Sequence, residues 1–462
     1  MTLRPARRDG HNMSAVAAWR HGLDEVGKGF AHVDCNGGKL RKIFSLWAGL
    51  PRRASVSRVW SAVLFELAIT RNIPTSGSEN NAEGQMIMHA KPFLSLWAKT
   101  LMPVKLTLSS VACLMGGLVA QNAVAETLQR VSPSLENPWG MSFVDADRLL
   151  VTERPGQVSL VDLKQGNSIV LSGVPETVVG GQGGMLDVLY DQGEVFLCYT
   201  GKASLGMSAT TLGKGRLAGD RLDAFQVLFQ ASNPGYGFHH FGCRIGIDPQ
   251  GYVFLSVGDR LDADSAQDPA THLGTVIRLN RDGSVPTDNP LVGQAGAQPE
   301  IYSYGHRNPQ GMSIHPTTGE VWLNEHGPQG GDEINIIGSG ENYGWPLLTH
   351  GEQYGGGAIG IGSSAPGYAD SVWHWTPSIA PSDMTFVPEG SQFPQYEGDL
   401  LVTSLKFKSL YHVRVEGETV TGESVILDRR LGRLRDVEVG PDGAIYLLND
   451  ESKGGVYRLS VE

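Results

Sequence analysis

The chain has 462 residues, 40% of them hydrophobic and 18% charged, with 60 Gly and 25 Pro. That is ample material for a buried core, and the Gly and Pro load suits many turns between short strands rather than long helices. Residues 1–125 carry 15 Lys and Arg against 7 Asp and Glu, whereas 126–462 carry 22 against 41, a net charge of −19; so acidic a body argues against nucleic acid as a partner, since phosphate contacts need a basic face.

Residues 1–101 are Arg-rich without a sustained period, and read as an upstream extension, non-native or disordered, with Met86, Met88 or Met102 as the expected start. Residues 102–125 read as a signal peptide. Lys105 precedes the apolar run LTLSSVACLMGGLVA, and a small-x-small site follows at Ala123-Val124-Ala125. The run is short for a bilayer span, so the mature chain is expected to have no membrane span and to be periplasmic or secreted. Of the four cysteines only Cys198 and Cys243 fall in the body. They either pair in an oxidising compartment or stay buried and reduced, the commoner state of a small buried cysteine.

One unit recurs along 126–462: an apolar strand, a turn with Asp, Pro or Gly, and a second apolar strand. The copies run Gly140 to Glu153, Gly184 to Thr200, Gly242 to Asp259, Gly311 to Gly327, Asp383 to Ser404 and Arg435 to Asp450. Each has the pattern and turn chemistry of an antiparallel hairpin. Several are followed by another strand-like run: GQVSLVDL, GTVIRLN, DEINII, SLYHVRV and GGVYRLSV. Six such units predict an all-β fold, a six-bladed β-propeller of four-stranded antiparallel blades, which leaves no long open edge.

In that architecture the first strand of each hairpin lines the central channel. Residues just before it and just after the second strand therefore ring one mouth. The first slots hold Gln182, His240, Arg307 with Asn308, and Arg433 with Arg435; the second slots hold Asp259, His326-Gly327-Pro328 and Lys406. Arg307, Lys406, Arg433 and Arg435 repel one another unless an anion sits among them, which implies a compact polyanionic ligand. His240 with Asp259 is the natural general base, its neighbour His239 pointing the other way. The stretch EHGPQGGDEINI, with Asp332 and Glu333, offers hard oxygen ligands suited to Ca²⁺. The sequence has no dinucleotide fingerprint, P-loop or Gly-x-Ser-x-Gly elbow, which weighs against nicotinamide, nucleotide and acyl-serine chemistry.

The segments GGQGGMLDV, HFGCRIGID, SYGHRNPQGM, LNEHGPQGGDEIN with ENYGWP, SLK and LRDVEVGPDG together resemble the soluble aldose sugar dehydrogenases of the glucose/sorbosone dehydrogenase family, enzymes that depend on pyrroloquinoline quinone (PQQ). The resemblance covers nearly all of 128–460 and implies the same six-bladed propeller. It implies PQQ and Ca²⁺ as cofactors, an aldose as substrate and an external electron acceptor, in a monomer or homodimer. His240 would be the base at the anomeric hydroxyl, Arg307 and Asn308 would contact the quinone carbonyls, and Gln182 and Asp259 would flank them. Lys406, Arg433 and Arg435 would bind the cofactor's carboxylates, with Tyr354 touching it as well. Gly327 and Pro328 would hold a catalytic Ca²⁺ through carbonyls, and Glu333 and Tyr343 a second, structural one. Cys243 and His306 depart from the family pattern, and the substrate-facing loops near 355–368 and 373–377 do not closely match the glucose-specific enzymes. Two other readings remain at this stage: a calcium-dependent lactonase, which would not need the Lys406, Arg433 and Arg435 cluster, and a non-catalytic glycan-binding propeller, which would leave His240 and Asp259 idle.

Overall fold

A computed structural model describes residues 126–461. The expected upstream extension and signal peptide lie outside the described residues.

The chain folds into six four-stranded antiparallel sheets, as the repeat predicts. The inner strands are Pro138–Phe143, Met185–Asp191, Gly242–Ile247, Pro309–Ile314, Pro381–Phe386 and Leu434–Val439, for blades 1 to 6. Their hairpin partners are Arg148–Glu153, Glu194–Lys202, Val253–Val257, Val321–Glu325, Leu400–Ser404 and Ile445–Asn449. The ring closes where Glu126–Arg130 pairs with the C-terminal Val456–Val461 as the outermost strand of blade 6. Joining the two ends of the body in one sheet removes the edges that an open array would expose. Apolar clusters fill the junctions between neighbouring blades, such as Leu150, Val158 and Met185 between blades 1 and 2.

Every inner strand shifts register against its partner near its first residues, at Pro138/Met141, Met185/Asp187, Gly242/Ile245, Pro309/Gly311, Pro381/Met384 and Leu434/Asp436. A bulge turns side chains that strict alternation would aim into the sheet. Here the turned residues meet at Arg244, within the blade 3 bulge. Its guanidinium lies 4.4 Å from the Trp139 ring of blade 1. It reaches Asp187 of blade 2 at 2.9 Å and Asp436 of blade 6 at 2.8 Å. Its Nε donates to the Gln310 carbonyl of blade 4 at 2.8 Å and lies 3.3 Å from Asp383 of blade 5. One buried cation thus touches the inner strands of all the other blades.

Cys198 and Cys243 form a disulfide across blades 2 and 3, with a Cα–Cα distance of 5.8 Å. Of the two states open in the sequence, the structure takes the paired one, because the second strand of blade 2 lies against the bulge of blade 3. Among the described residues, no helix is long and apolar enough to cross a membrane.

Burial pushes the Asp187 carboxyl up to about 6, against the opposing pull of Arg244, and Asp383 moves upward for the same reason. These acids bind protons more tightly folded than unfolded, so their contribution to stability falls as pH rises from ~4 through the folded values. Removing the cation with Arg244→Met leaves buried carboxylates uncompensated, at a cost of about 3–5 kcal/mol. The expected outcome at pH 8 is a Tm lower by roughly 10 °C, with a smaller loss at pH 5, where the acids are protonated. Thermal unfolding at the two pH values checks this, and an unchanged Tm at pH 8 contradicts it.

Candidate functional site

Above Arg244, at the end where the bulges lie, a cavity of about 420 Å³ opens. Its polar wall includes Arg154, Gln182, Asn308, His326, Arg433, Arg435 and Asp450, and Trp139 and Phe241 supply aromatic surface. Three guanidiniums against one carboxylate leave the lining with two excess positive charges.

The sequence places Arg433 and Arg435 here, but it does not anticipate that Asp450 lies between them. Arg435 Nη2 donates to Asp450 at 3.1 Å, and Arg433 Nε lies 3.8 Å from the same oxygen. The implied mutual repulsion is thus partly neutralised within the chain, and it is the surplus from Arg154 and its neighbours that remains for a ligand. Arg435 is buried, which draws its pKa down to about 10, so it stays charged at neutral pH. Its Nε has no partner among the described residues. Lys406 is exposed, and Tyr354 is 74% exposed on the loop between the outer strands of blade 4; neither lines the cavity.

His240, in a left-handed conformation at φ 49°, is not itself among the lining residues but directly precedes Phe241 and Gly242, which are. It is buried while His239 is exposed, the division the sequence led one to expect, although the segment is not a strand. Its backbone N–H donates to Gln182 Oε1 at 2.8 Å, which leaves the Gln182 amide nitrogen to the cavity. His240 Nδ1 lies 2.6 Å from Asp259 Oδ1. A carboxylate there keeps the proton on Nδ1 and leaves Nε2 as the free base. Burial lowers the His240 pKa and Arg307 adds to that, while Asp259 opposes it. The net effect keeps the ring neutral near physiological pH.

Asp259 is itself fixed by Trp345, whose Nε1 donates to Oδ2 at 2.8 Å. The Arg307 guanidinium lies 5.3 Å from the same indole. Its Nη1 donates to the carbonyls of His326 and Gly327, each at 3.0 Å, and its backbone N–H to Glu325 Oε2 at 2.6 Å. The departure at His306 belongs to this brace. His306 is fully buried, hydrogen-bonded to Ser303 and to Glu325 Oε1, and stacked on Tyr343. Asn308 Oδ1 faces Gly242 N–H and Gln310 Nε2, each at 3.3 Å, so its amide nitrogen faces the cavity. His326 is drawn down to about 3, by burial first and then by the positive field of Arg307 and Arg435.

The proposed calcium ligands divide. Asp332 is spent on structure: it accepts from Gly327 N–H, Ser378 Oγ and Ala380 N–H. The Gly327 carbonyl already takes Arg307, while the neighbouring Pro328 carbonyl accepts no hydrogen bond among the described residues. Glu333 is pushed well up, by burial and then by the facing Glu325 carboxylate, and nearby Asn335 Oδ1 is buried without a partner. Crowded oxygens of this kind are the donor set a hard cation relieves. The Tyr343 hydroxyl is occupied by Gly338 N–H and the Ile336 carbonyl, leaving the main-chain carbonyl of that residue. Among the described residues, no group of three or more His, Cys, Asp or Glu side chains could hold a metal by itself.

Arg154, Glu325, Trp345 and Asp450 are the site members that sequence reasoning missed. Arg154 and Asp450 directly follow the second strands of blades 1 and 6, so the slot rule applied to those blades would have found them. Trp345 stands on a loop, where no strand period points to it.

The sequence profile of the Glucose / Sorbosone dehydrogenase family matches residues 135–458. The aldose sugar dehydrogenase YliI of Escherichia coli (strain K12) is 38% identical over 358 residues, spanning 75% of this chain and 96% of that protein. The crystal structure of the soluble Escherichia coli aldose sugar dehydrogenase in its apo form superposes with a TM-score of 0.70 at 37% identity, over 73% of this chain and all of the other. The PQQ-bound form of the aldose sugar dehydrogenase from Streptomyces coelicolor superposes with a TM-score of 0.60 at 25% identity, over 73% of this chain and 99% of that one. With the profile matching 135–458 and a 38% identical relative covered over 96% of its length, the chain belongs to the glucose/sorbosone dehydrogenase family.

Proposed function

We propose that this protein is a PQQ- and calcium-dependent aldose sugar dehydrogenase, which oxidises the anomeric carbon of an aldose to the lactone. The observation that carries the reading is the positively charged cavity lined by Gln182 and Phe241, to which the His240–Asp259 pair is joined through the His240 N–H bond to Gln182 and the chain to Phe241. A volume of about 420 Å³ falls in the usual range for small-molecule sites. Two excess positive charges, an orphaned Arg435 Nε and aromatic walls suit a flat ligand bearing carboxylates. Arg154, Arg433 and Arg435 would hold those carboxylates, with Lys406 and Tyr354 contributing from the rim loops. Gln182, Arg307 and Asn308 would hold the rest of the cofactor. Calcium fits the oxygen-rich ground at Glu333 and the main chain of Tyr343; at Gly327 and Pro328 it would share a carbonyl with Arg307. When bound, PQQ supplies the two-electron acceptor and calcium a Lewis acid.

The chain's own residues handle the proton and the orientation. His240 Nε2 takes the proton of the anomeric hydroxyl, which the neutral ring can do because burial holds its pKa down. Asp259 keeps the ring oriented and supports the charge it gains, and Trp345 holds Asp259 in turn. Arg307, fixed by two carbonyls and Glu325, offers a preorganised positive charge to oxygen that becomes negative. The disulfide supports residence in an oxidising compartment, periplasmic or extracellular.

Two outcomes test this. Purified protein supplied with PQQ and Ca²⁺ should reduce a dye with a panel of aldoses, lose that activity when either is omitted, and lose about 10²–10⁴-fold in His240→Ala. Dye reduction indifferent to PQQ sinks the proposal. In Asp259→Asn the imidazole loses the neighbour that raises its pKa, so the acidic limb of kcat/KM should move to lower pH while kcat falls. A pH–rate profile that keeps the wild-type limb contradicts the pairing.

A further inference from the structure

We infer that Arg260 is a positioning residue for this reaction: its guanidinium ties down the segment 237–239 and thereby fixes the backbone on which His240 stands. The inference rests on the functional reading above, since it matters to catalysis only if His240 is the base.

His240 follows a connection without regular structure, between Arg221–Gln230, the outermost strand of blade 2, and the inner strand of blade 3. Gly235 and Gly237 make it pliant, and residues 236–239 are exposed or nearly so. Yet His240 is held at φ 49° and Gly242 and Cys243 are also left-handed, at 68° and 99°. Such conformations in non-glycine residues are strained and persist only where the surroundings over-determine them.

Arg260 supplies that determination. Its Nε donates to the His239 carbonyl at 3.0 Å, its Nη2 to the Gly237 carbonyl and its Nη1 to the Ser208 carbonyl at 3.1 Å. Its backbone N–H donates to the His240 carbonyl at 3.3 Å. The guanidinium lies over the Phe241 ring, 3.8 Å from its centroid. Three side-chain bonds in three directions use the fork geometry that only arginine has. No carboxylate pairs with it among the described residues, and burial draws its pKa down to about 10, so it remains charged and a strong donor. The Ser208 carbonyl anchors the group to blade 2, where Ser208 and Gly235 also bridge each other. Arg260 and Leu261 are themselves left-handed, and Leu261 N–H donates to Asp259 Oδ1. The side chains of neighbours 259 and 260 therefore divide the work: Asp259 holds the imidazole and Arg260 the main chain beneath it.

The charged and titratable groups acting on His240 are Asp259, Arg307 and His239, with His326 also within electrostatic reach. None changes in an Arg260 variant. What Arg260→Met changes is the positive charge of Arg260 itself and solvent access, both of which raise the His240 pKa, burial being the largest influence holding it down; Arg260→Lys keeps the charge and so isolates the loss of positioning.

The test compares Arg260→Met and Arg260→Lys with wild type. One arm follows the His240 imidazole by NMR titration in cofactor-free protein, assigned against His240→Ala. The other measures kcat, KM and Tm in protein loaded with PQQ and Ca²⁺. Arg260→Met should raise the His240 pKa, move the acidic limb to higher pH and lower kcat by roughly ten- to a hundredfold, with KM and Tm nearly unchanged. Arg260→Lys, which can keep one of the three bonds, should fall between. A His240 pKa and kcat equal to wild type in Arg260→Met overturns the inference, as does a lower Tm with the same kcat. Should that variant not fold, Arg260→Lys decides on the same readouts. A wild type inactive on aldoses would overturn the functional reading instead, while the NMR arm would still show whether Arg260 fixes His240.

Discussion

Arg244 is the charge on which the molecule turns. A propeller leaves a channel on its axis, and six inner strands approach it with bulged ends. An empty channel would waste packing, and an apolar plug would leave the polar bulge atoms unpaired. A single guanidinium with five donors meets both demands, bonding to carboxylates from blades 2, 5 and 6 and carbonyls from blades 4 and 6 and lying over the blade 1 indole. So many partners offset the cost of burying the charge, which a lone ion pair seldom does.

The candidate-site cavity follows from that plug. Because Arg244 is in contact with Asp187, Gln310 and Asp383, the channel is filled at mid-depth and the upper mouth becomes a blind pocket. The same bulges that feed Arg244 lift Arg435 and Gln310 to its floor, where Arg435 Nη1 meets Gln310 Oε1 and Ser382 Oγ. The blade-to-loop junctions then contribute the walls: Gln182, Asn308 and Arg433 before inner strands, Arg154, His326 and Asp450 after their partners. An imidazole held neutral by burial and a surplus of guanidiniums are thus products of one geometry.

Much of this was legible in the sequence. Hairpins carry strong local signals, so six inner pairs and the ring of residues at their ends could be placed from turns and alternation alone. The outermost strands could not: Asn167–Val170 is short, and Arg221–Gln230 carries apolar residues on both faces with most of them at least partly exposed, so neither shows a clean alternation. Closure by Glu126–Arg130 depends on a partner more than three hundred residues away. Arg244 was hidden because a single charge within an alternating strand looks like an outward-facing residue, and only the bulge reverses it. The Cys198–Cys243 bond was undecidable because it reports an approach between blades. Asp450 shows the limit of reasoning from like charges: the anion implied by clustered arginines was, in part, supplied by the chain itself.

The central claim is that the guanidinium surplus exists to bind a carboxylate-bearing quinone. Titrating PQQ into calcium-loaded protein, followed by tryptophan fluorescence from Trp139 and Trp345 beside the site, tests it most directly. The account predicts one saturable site whose affinity falls with ionic strength and drops by at least about tenfold in Arg433→Met/Arg435→Met. Equal affinity in wild type and the double variant, or no saturable binding at all, would contradict it.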